Sequence, residues 1–371
     1  MIDEIKFENL IEPAMDWFLE NKRDLPWRQD QNPYHIWVSE IMLQQTRVEA
    51  VKSYYHRFME ELPTLQDLAN CPEDKLLKLW EGLGYYNRVR NMQKAAKVIV
   101  EEYQGAFPKT EEEILGLPGI GPYTAGAIGS IAFGNATPAV DGNVLRIISR
   151  VSDDDSDILK DKTKKAVTAK LREVMPKGRI DVEDASLPEA PGILNQALME
   201  IGALVCVPNG APHCEICPWH TMCLAKERGT IDGLPVKKKA KARKIVDMTV
   251  FLIEDGGKVW IRKRPKEGLL AGLYEFPNQP GHLTKKQVAD YVEAHGFDPI
   301  RVEKLEDAKH IFSHVEWHMK GYRVRVAAID EKMEEVFPKE LETEDFFVDL
   351  DEVRRAYAFP SAFQIFRNIL V

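Results

Sequence analysis

From residue 8 to about 225 the apolar residues recur at the spacing of one helix face. LLKLWEGLGYY, NMQKAAKVIVEEY, KKAVTAKLREVM and LNQALMEIGALV each carry such a stripe, and this periodicity predicts amphipathic helices. Alternating extended segments are almost absent there, so residues 1–230 are expected to form an all-α domain. Between 231 and 246 the pattern breaks. Six of the eight residues from Lys237 to Lys244 are basic, which reads as an exposed linker able to lie along a phosphate backbone. Beyond it the period changes. MTVFLIE, DGG and KVWIRKRP predict a β-hairpin, TKKQVADYVEAHG a helix closed by glycine, YRVRVAAID a further strand and SAFQIFRNIL a terminal helix. Residues 247–371 are therefore expected to form an α/β domain.

Length and composition agree with two cores. The chain has 371 residues, 44% of them hydrophobic and 29% charged, which excludes disordered and fibrous classes. No apolar run approaches the roughly 18 residues of a membrane span, and the N-terminus MIDEIKFENLIEPAMDWF is acidic where a secretion signal is basic. A cytoplasmic protein is expected. The net charge of −9 argues against a nucleic-acid partner. Residues 331–352, however, hold ten acidic and two basic residues, a net −8, so the deficit is local and leaves room for a basic groove elsewhere.

Four of the five cysteines fall close together as C-x7-C-x2-C-x5-C: Cys206, Cys214, Cys217 and Cys223. This reads as a ligand set rather than a disulfide scaffold. A single close pair flanked by two more distant ligands suits a [4Fe-4S] cluster, with four-thiolate zinc and unligated structural cysteines as the competing assignments. Cys71, before Pro72, reads as a buried inert thiol near a helix start.

LPGIGPYTAGAIGSIAF joins the short helix TEEEILG to an apolar one. Gly119 and Gly121 permit a tight turn, and Pro122 suits a first helical position. A turn of this kind at a helix N-terminus forms an anion nest that fits one phosphate, or serves simply as a packing turn. In TPAVDGNVLRIISRV, Asp141 or Asn143 is placed to cap the next helix, and capping donors favour an ionised Asp141. In NPYHIWVSEIMLQQTRVEAVKSYY, Asn32 and Pro33 start a helix, and Glu40 lies among apolar neighbours. Burial there raises a carboxyl pKa, as a general acid requires, whereas on a solvent-facing side of the helix Glu40 and Gln44 would be ordinary surface residues. Gln44 and Gln45 on the same stretch call for hydrogen-bond partners, which base edges can supply.

Taken in order, WVSEIMLQQTRV, GLGYYNRVRNM, LPGIGPYTAGAI, VDGNVLR, NQALMEIGALVC, the remaining cysteines, GLYEFP and IFSH resemble the helix-hairpin-helix glycosylases, and within them the adenine DNA glycosylases. The resemblance implies an all-α helix-hairpin-helix domain with a [4Fe-4S] cluster held by Cys206, Cys214, Cys217 and Cys223, followed by a Nudix-like α/β domain. It implies removal of adenine opposite 8-oxoguanine, and opposite guanine, from double-stranded DNA in base excision repair, by a monomer working in the bacterial nucleoid. Glu40 matches the acid that protonates adenine, Asp141 the carboxylate that stabilises the sugar cation, and Asn143 its partner. Gln45 and Tyr85 resemble residues inserted into the base stack, with Gly119 and Gly121 on a phosphate. Trp27, Arg28, Leu43 and Gln196 fall in stretches around the adenine pocket, and Phe312, Ser313 and His314 match the loop that senses the oxidised guanine.

Tyr123 separates two reaction classes. Relatives that also cut the backbone carry a Schiff-base lysine at this place in the hairpin, whereas a phenol forms no imine. A monofunctional hydrolase is expected, against a bifunctional glycosylase and lyase acting on oxidised pyrimidines, or a DNA-binding module without catalysis. The second domain lacks the glutamate-rich box of Nudix hydrolases and so the ligands for their Mg²⁺. Two departures from the family pattern stand out: the first cysteine gap is seven residues rather than the usual six, and residues 179–192 form a longer, more acidic approach to the last helix.

Overall fold

Capping residues set the helix boundaries that periodicity leaves open. In the computed structural model of the chain, which describes residues 4–180, 187–238, 242–327 and 345–370, the elements up to the linker are α1 (Glu8–Asn21), α2 (Pro33–Leu43), α3 (Val48–Glu61), α4 (Leu65–Asn70), α5 (Glu73–Leu79), α6 (Asn87–Glu102), α7 (Glu111–Gly116), α8 (Pro122–Phe133), α9 (Gly142–Val151), α10 (Asp161–Val174), α11 (Ala190–Glu200) and α12 (Leu224–Arg228). Asn32 accepts a hydrogen bond from the Tyr34 amide, with Pro33 at the first helical position of α2. Thr110 and Glu113 form a reciprocal capping box on α7, and Asp141 caps α9. Among the described residues no strand precedes Lys244, and no helix is long and apolar enough to cross a membrane. Residues 181–186, 239–241 and 328–344, which include much of the acidic approach, part of the basic linker and most of the acidic stretch, lie outside the described residues.

The chain divides into two compact units, Met1–Cys71 with Asn87–Lys239, and Pro72–Tyr86 with Ala240–Val371. In the first, α2 and α8 are buried on nearly every face, as helices that are apolar all round must be. Glycines let neighbours approach α8: a Cβ on Gly126 would stand 2.6 Å from the Pro138 carbonyl oxygen. The single helical stretch read around Glu40 is in fact two helices, because α2 ends at Leu43 and Gln45 takes a left-handed φ of 62°.

The second unit is built on the sheet β3-β2-β1-β7-β5, with β4, β6 and β8 paired to β1, β7 and β2. The strands are β1 (Lys244–Asp255), β2 (Lys258–Lys263), β3 (Tyr274–Glu275), β4 (Asn278–Pro280), β5 (Pro299–Lys304), β6 (Ala308–Ile311), β7 (Val315–Val326) and β8 (Asp345–Asp349). β1 and β2 form the expected hairpin, with Asp255 opposite Lys258, while β1 and β7 run parallel. Residues of β1 alternate between two cores. Val250 and Leu252 pack with Phe359, Phe363 and Phe366, and Phe251 and Ile253 with Val288 and Val292 of α13 (Lys285–Ala294). A sheet covered on both faces explains why MTVFLI reads as a continuous apolar run. The segment holding α5 is part of this unit. Glu81 accepts the Phe359 amide at 2.9 Å and pairs with Arg367, and Lys263 pairs with Asp74 at 2.8 Å.

The cysteines correct the expected cofactor. Cys206, Cys214, Cys217 and Cys223 do line one cavity, of about 30 Å³, but among the described residues no group of three or more His, Cys, Asp or Glu side chains is arranged to hold a metal ion. The fold is therefore an all-α domain with a β-rich Nudix-like domain, with no residue group arranged among the described residues to hold the expected [4Fe-4S] cluster or a zinc ion. Spacing determines which loops meet, whereas ligation needs deprotonated sulfurs aimed at one point. Here Arg150 donates from Nη1 to the Cys206 sulfur at 3.3 Å, and the Cys223 thiol is directed at the Arg150 carbonyl at 3.6 Å.

Candidate active site

Glu40 lies on α2 among Ile36, Trp37, Val38 and Ile41, all buried. Only 6% of it is exposed. Removing a carboxylate from water disfavours its charged form, and burial, reinforced by the nearby negative charge of Asp141, pushes Glu40 up to about 7, against the pull of a Tyr123 hydrogen bond and the Arg28 charge. The Tyr123 hydroxyl donates to Oε2 of Glu40 at 2.6 Å. Burial and the two carboxyls raise the phenol well above its ordinary value, so Tyr123 remains a donor.

Tyr123 reaches Glu40 because the glycine turn ends where α8 begins. Gly119 has φ 76°, and a Cβ there would stand 2.5 Å from the Cβ of Asn91. Gly121 has an ordinary extended backbone with open space around it, so glycine is required at 119 and not, on this geometry, at 121. Gly119→Ala should lower stability by about 1–3 kcal/mol, combining overpacking with left-handed strain; urea denaturation followed by circular dichroism reads it.

Asp141 is held from three sides. Its Oδ1 accepts the amides of Asn143 and Val144 at 2.9 and 2.8 Å, and its Oδ2 accepts Nδ2 of Asn143 at 2.7 Å. Asn143 is fixed in turn by Nη2 of Arg146 at 2.9 Å, and Arg146 donates to the carbonyls of Gly202 and Cys206. Gly202 sits so close that a Cβ there would stand 2.8 Å from the Cβ of Asn143. The cap was expected to keep Asp141 an ordinary ionised acid. Its pKa is instead raised, because burial outweighs the three donors and Arg146.

Glu40, Tyr123, Asp141 and Asn143 share one cavity of about 1420 Å³, which Trp27, Arg28, Leu43, Gln45 and Gln196 also line. Sequence reasoning brought these nine residues together without the geometry. It missed Arg23, Met199 and Glu200, which line the cavity too. Met199 follows the helical period of Gln196 at i+3, the one signal that pointed to it. A proton donor poised near neutrality, a capped carboxylate and an apolar wall with Trp27 suit protonation of a planar heteroaromatic group and stabilisation of an adjacent cation. Gly119 belongs to a separate small cavity with Asn91 and Arg88.

In the other unit, Tyr85 is 50% exposed, with a φ of 48°. Like Gln45 it occupies a left-handed conformation that disfavours side chains by about 1–3 kcal/mol and is found most often at functional positions. Phe312, Ser313 and His314 form the turn between β6 and β7. Phe312 is packed edge-on against Trp317 at 4.8 Å, and Ser313 and His314 are exposed.

Residues 38–177 match the HhH-GPD superfamily of base excision DNA repair proteins, and residues 249–367 match the NUDIX domain. The chain is 36% identical to the adenine DNA glycosylase of Mus musculus, over 85% of this chain and 70% of that protein. It is 34% identical to the adenine DNA glycosylase of Homo sapiens, over 81% of this chain and 64% of that protein, so it spans roughly two thirds of these mammalian relatives. Among solved structures, a thermostable thymine-DNA glycosylase superposes with a TM-score of 0.52 at 27% identity, covering 60% of this chain and 97% of that one.

Proposed function

Since the chain belongs to the adenine DNA glycosylases of the HhH-GPD base excision repair superfamily, we propose that it is a monofunctional N-glycosylase that hydrolyses adenine from double-stranded DNA opposite 8-oxoguanine, and opposite guanine, leaving an abasic site. The observation that carries this reading is the pair of carboxyls, the buried Glu40 and the half-buried, capped Asp141, in one cavity with Tyr123 in place of an amine.

An adenine stacked in a duplex is out of reach of these side chains, so it must turn out into the cavity. Gln45, already in left-handed backbone, fills the space it leaves, and the turn at Gly119 and Gly121 holds a phosphate. Trp27, Leu43 and Gln196 wall the pocket around the base, beside Arg28. Glu40 donates its proton to the ring, at N7, because neutral adenine leaves more readily than its anion. As the glycosidic bond lengthens, the ionised Asp141, ordered by Asn143, stabilises the cationic sugar in a site that excludes bulk water. Water completes the hydrolysis. Phe312, Ser313 and His314 serve as the reader of the oxidised guanine. The protein acts as a monomer in the cytoplasm, at the nucleoid.

Adenine release from an 8-oxoguanine:adenine duplex, measured in single turnover, tests the activity. Borohydride should trap no covalent adduct, and a trapped one would overturn the monofunctional reading. The rate should fall as pH rises through about 7, where Glu40 loses its proton. Tyr123→Phe removes a hydrogen bond that lowers the Glu40 pKa, so this alkaline limb should move to higher pH. A limb unchanged in that variant would show that Tyr123 does not tune Glu40.

A further inference from the structure

We propose that Glu200 is a positioning residue for the reaction: its buried carboxylate holds the partly buried guanidinium groups of Arg23 and Arg28 in an ion-paired cluster at the cavity wall, and so keeps Arg28 from pairing with Glu40. The inference rests on the reading of Glu40 as the proton donor.

Glu200 ends α11 and is 1% exposed. It accepts Nε and Nη2 of Arg23, each at 2.8 Å, and Nη2 of Arg28 at 2.8 Å, so that Oε1 pairs with Arg28 and Oε2 with Nε of Arg23. Arg28 is held further by the Arg23 carbonyl, which accepts its Nη1 at 3.3 Å, and by the ring of Phe18, 5.4 Å from the guanidinium. A buried carboxylate with two cations is the one arrangement that compensates both guanidinium groups, and a neutral side chain there would leave them unpaired.

The groups that act on Glu40 come from three elements. Tyr123 of α8 donates a hydrogen bond, Asp141 at the α9 cap opposes ionisation, and Arg28, on the short turn Pro26–Arg28, favours it. Arg28 is the positive member of the set. Released from Glu200, it would be an arginine at the wall of the same cavity with a carboxyl within its field, and a charge-assisted pair would convert the acid into an anion. The chain continues from Glu200 into a π-helical turn, Ile201–Val205, a feature frequent at functional sites. The same turn supplies the Gly202 carbonyl that fixes Arg146 beside Asn143. Glu200 and the turn that follows it thus lie, adjacent in the chain, behind Glu40 through Arg28 and behind Asp141 through Arg146 and Asn143.

Single-turnover adenine release against pH, with enzyme saturating the oxidised mispair, tests the role. For Glu200→Gln the alkaline limb should move down by about one pH unit, so that the rate falls about tenfold against wild type near pH 8 and stays within about twofold near pH 5.5. Glu200→Asp, which keeps the charge, should restore much of the limb. A uniform loss at every pH with the limb unmoved would overturn the proposal. If Glu200→Gln does not fold, the double variant Glu200→Gln/Arg28→Gln, with one fewer uncompensated cation, takes its place beside Arg28→Gln alone. Coincident limbs in those two support action through Arg28, and a further downward shift in the double variant overturns it. A wild type with no limb near pH 7, or a fully active Glu40→Gln, would sink the reading of Glu40 instead.

Discussion

Glu40→Gln should slow adenine release by about 10³-fold, within the range of about 10²–10⁴ that general acid catalysis contributes. The change is close to isosteric, and the amide oxygen can still accept the Tyr123 hydroxyl that now reaches Oε2 at 2.6 Å. What disappears is the transferable proton. Because burial raises Glu40 to about 7, the wild type retains that proton near neutral pH where an ordinary glutamate would have lost it, whereas an amide never releases one usefully. The loss should fall on the single-turnover rate and leave duplex affinity within a few fold of wild type. Equal rates in variant and wild type would remove Glu40 from the mechanism.

Asp141→Asn should lower the same rate by about 10²–10³-fold, the loss expected when one preorganised electrostatic group facing a developing charge is removed. Asparagine keeps an oxygen for the Asn143 and Val144 amides, so the cap largely survives. Its amide nitrogen would then face the donor Nδ2 of Asn143, which now bonds Oδ2, so Asn143 loses its alignment together with the charge. Activity in the wild type needs this carboxyl ionised, and its pKa is raised. The acid limb of the pH profile should therefore lie above the ordinary aspartate range, making the profile a bell.

Stability should respond in the opposite direction. Both carboxyls have folded pKa values above their unfolded ones, so the folded state binds more protons. Their contribution to stability is greatest at acid pH and declines as pH rises from about 4 toward the Glu40 value. Glu40→Gln should not lower the melting temperature at neutral pH, and calorimetry at two pH values measures this. Retained stability with lost activity is the signature of residues kept for chemistry at the expense of packing.

Where chemistry follows from local pattern, the sequence was sufficient. Asn32–Pro33 and Asp141 declare helix starts because capping depends on a few adjacent residues, and a glutamate between apolar neighbours on a helix points to burial, which only packing from other elements decides. The lone requirement at Gly119 was half legible: the turn was evident, but the Asn91 Cβ that excludes any side chain comes from α6. Tertiary structure decided the rest, since each case depends on residues far apart in the chain. Burial, not the cap, dominates Asp141. Glu200 becomes the counter-ion of Arg23 and Arg28 across more than 170 positions. α5 joins the sheet unit through Glu81 and Asp74. The cysteines share a cavity without forming a metal site, because spacing along a chain limits which side chains can meet but not the direction in which they point.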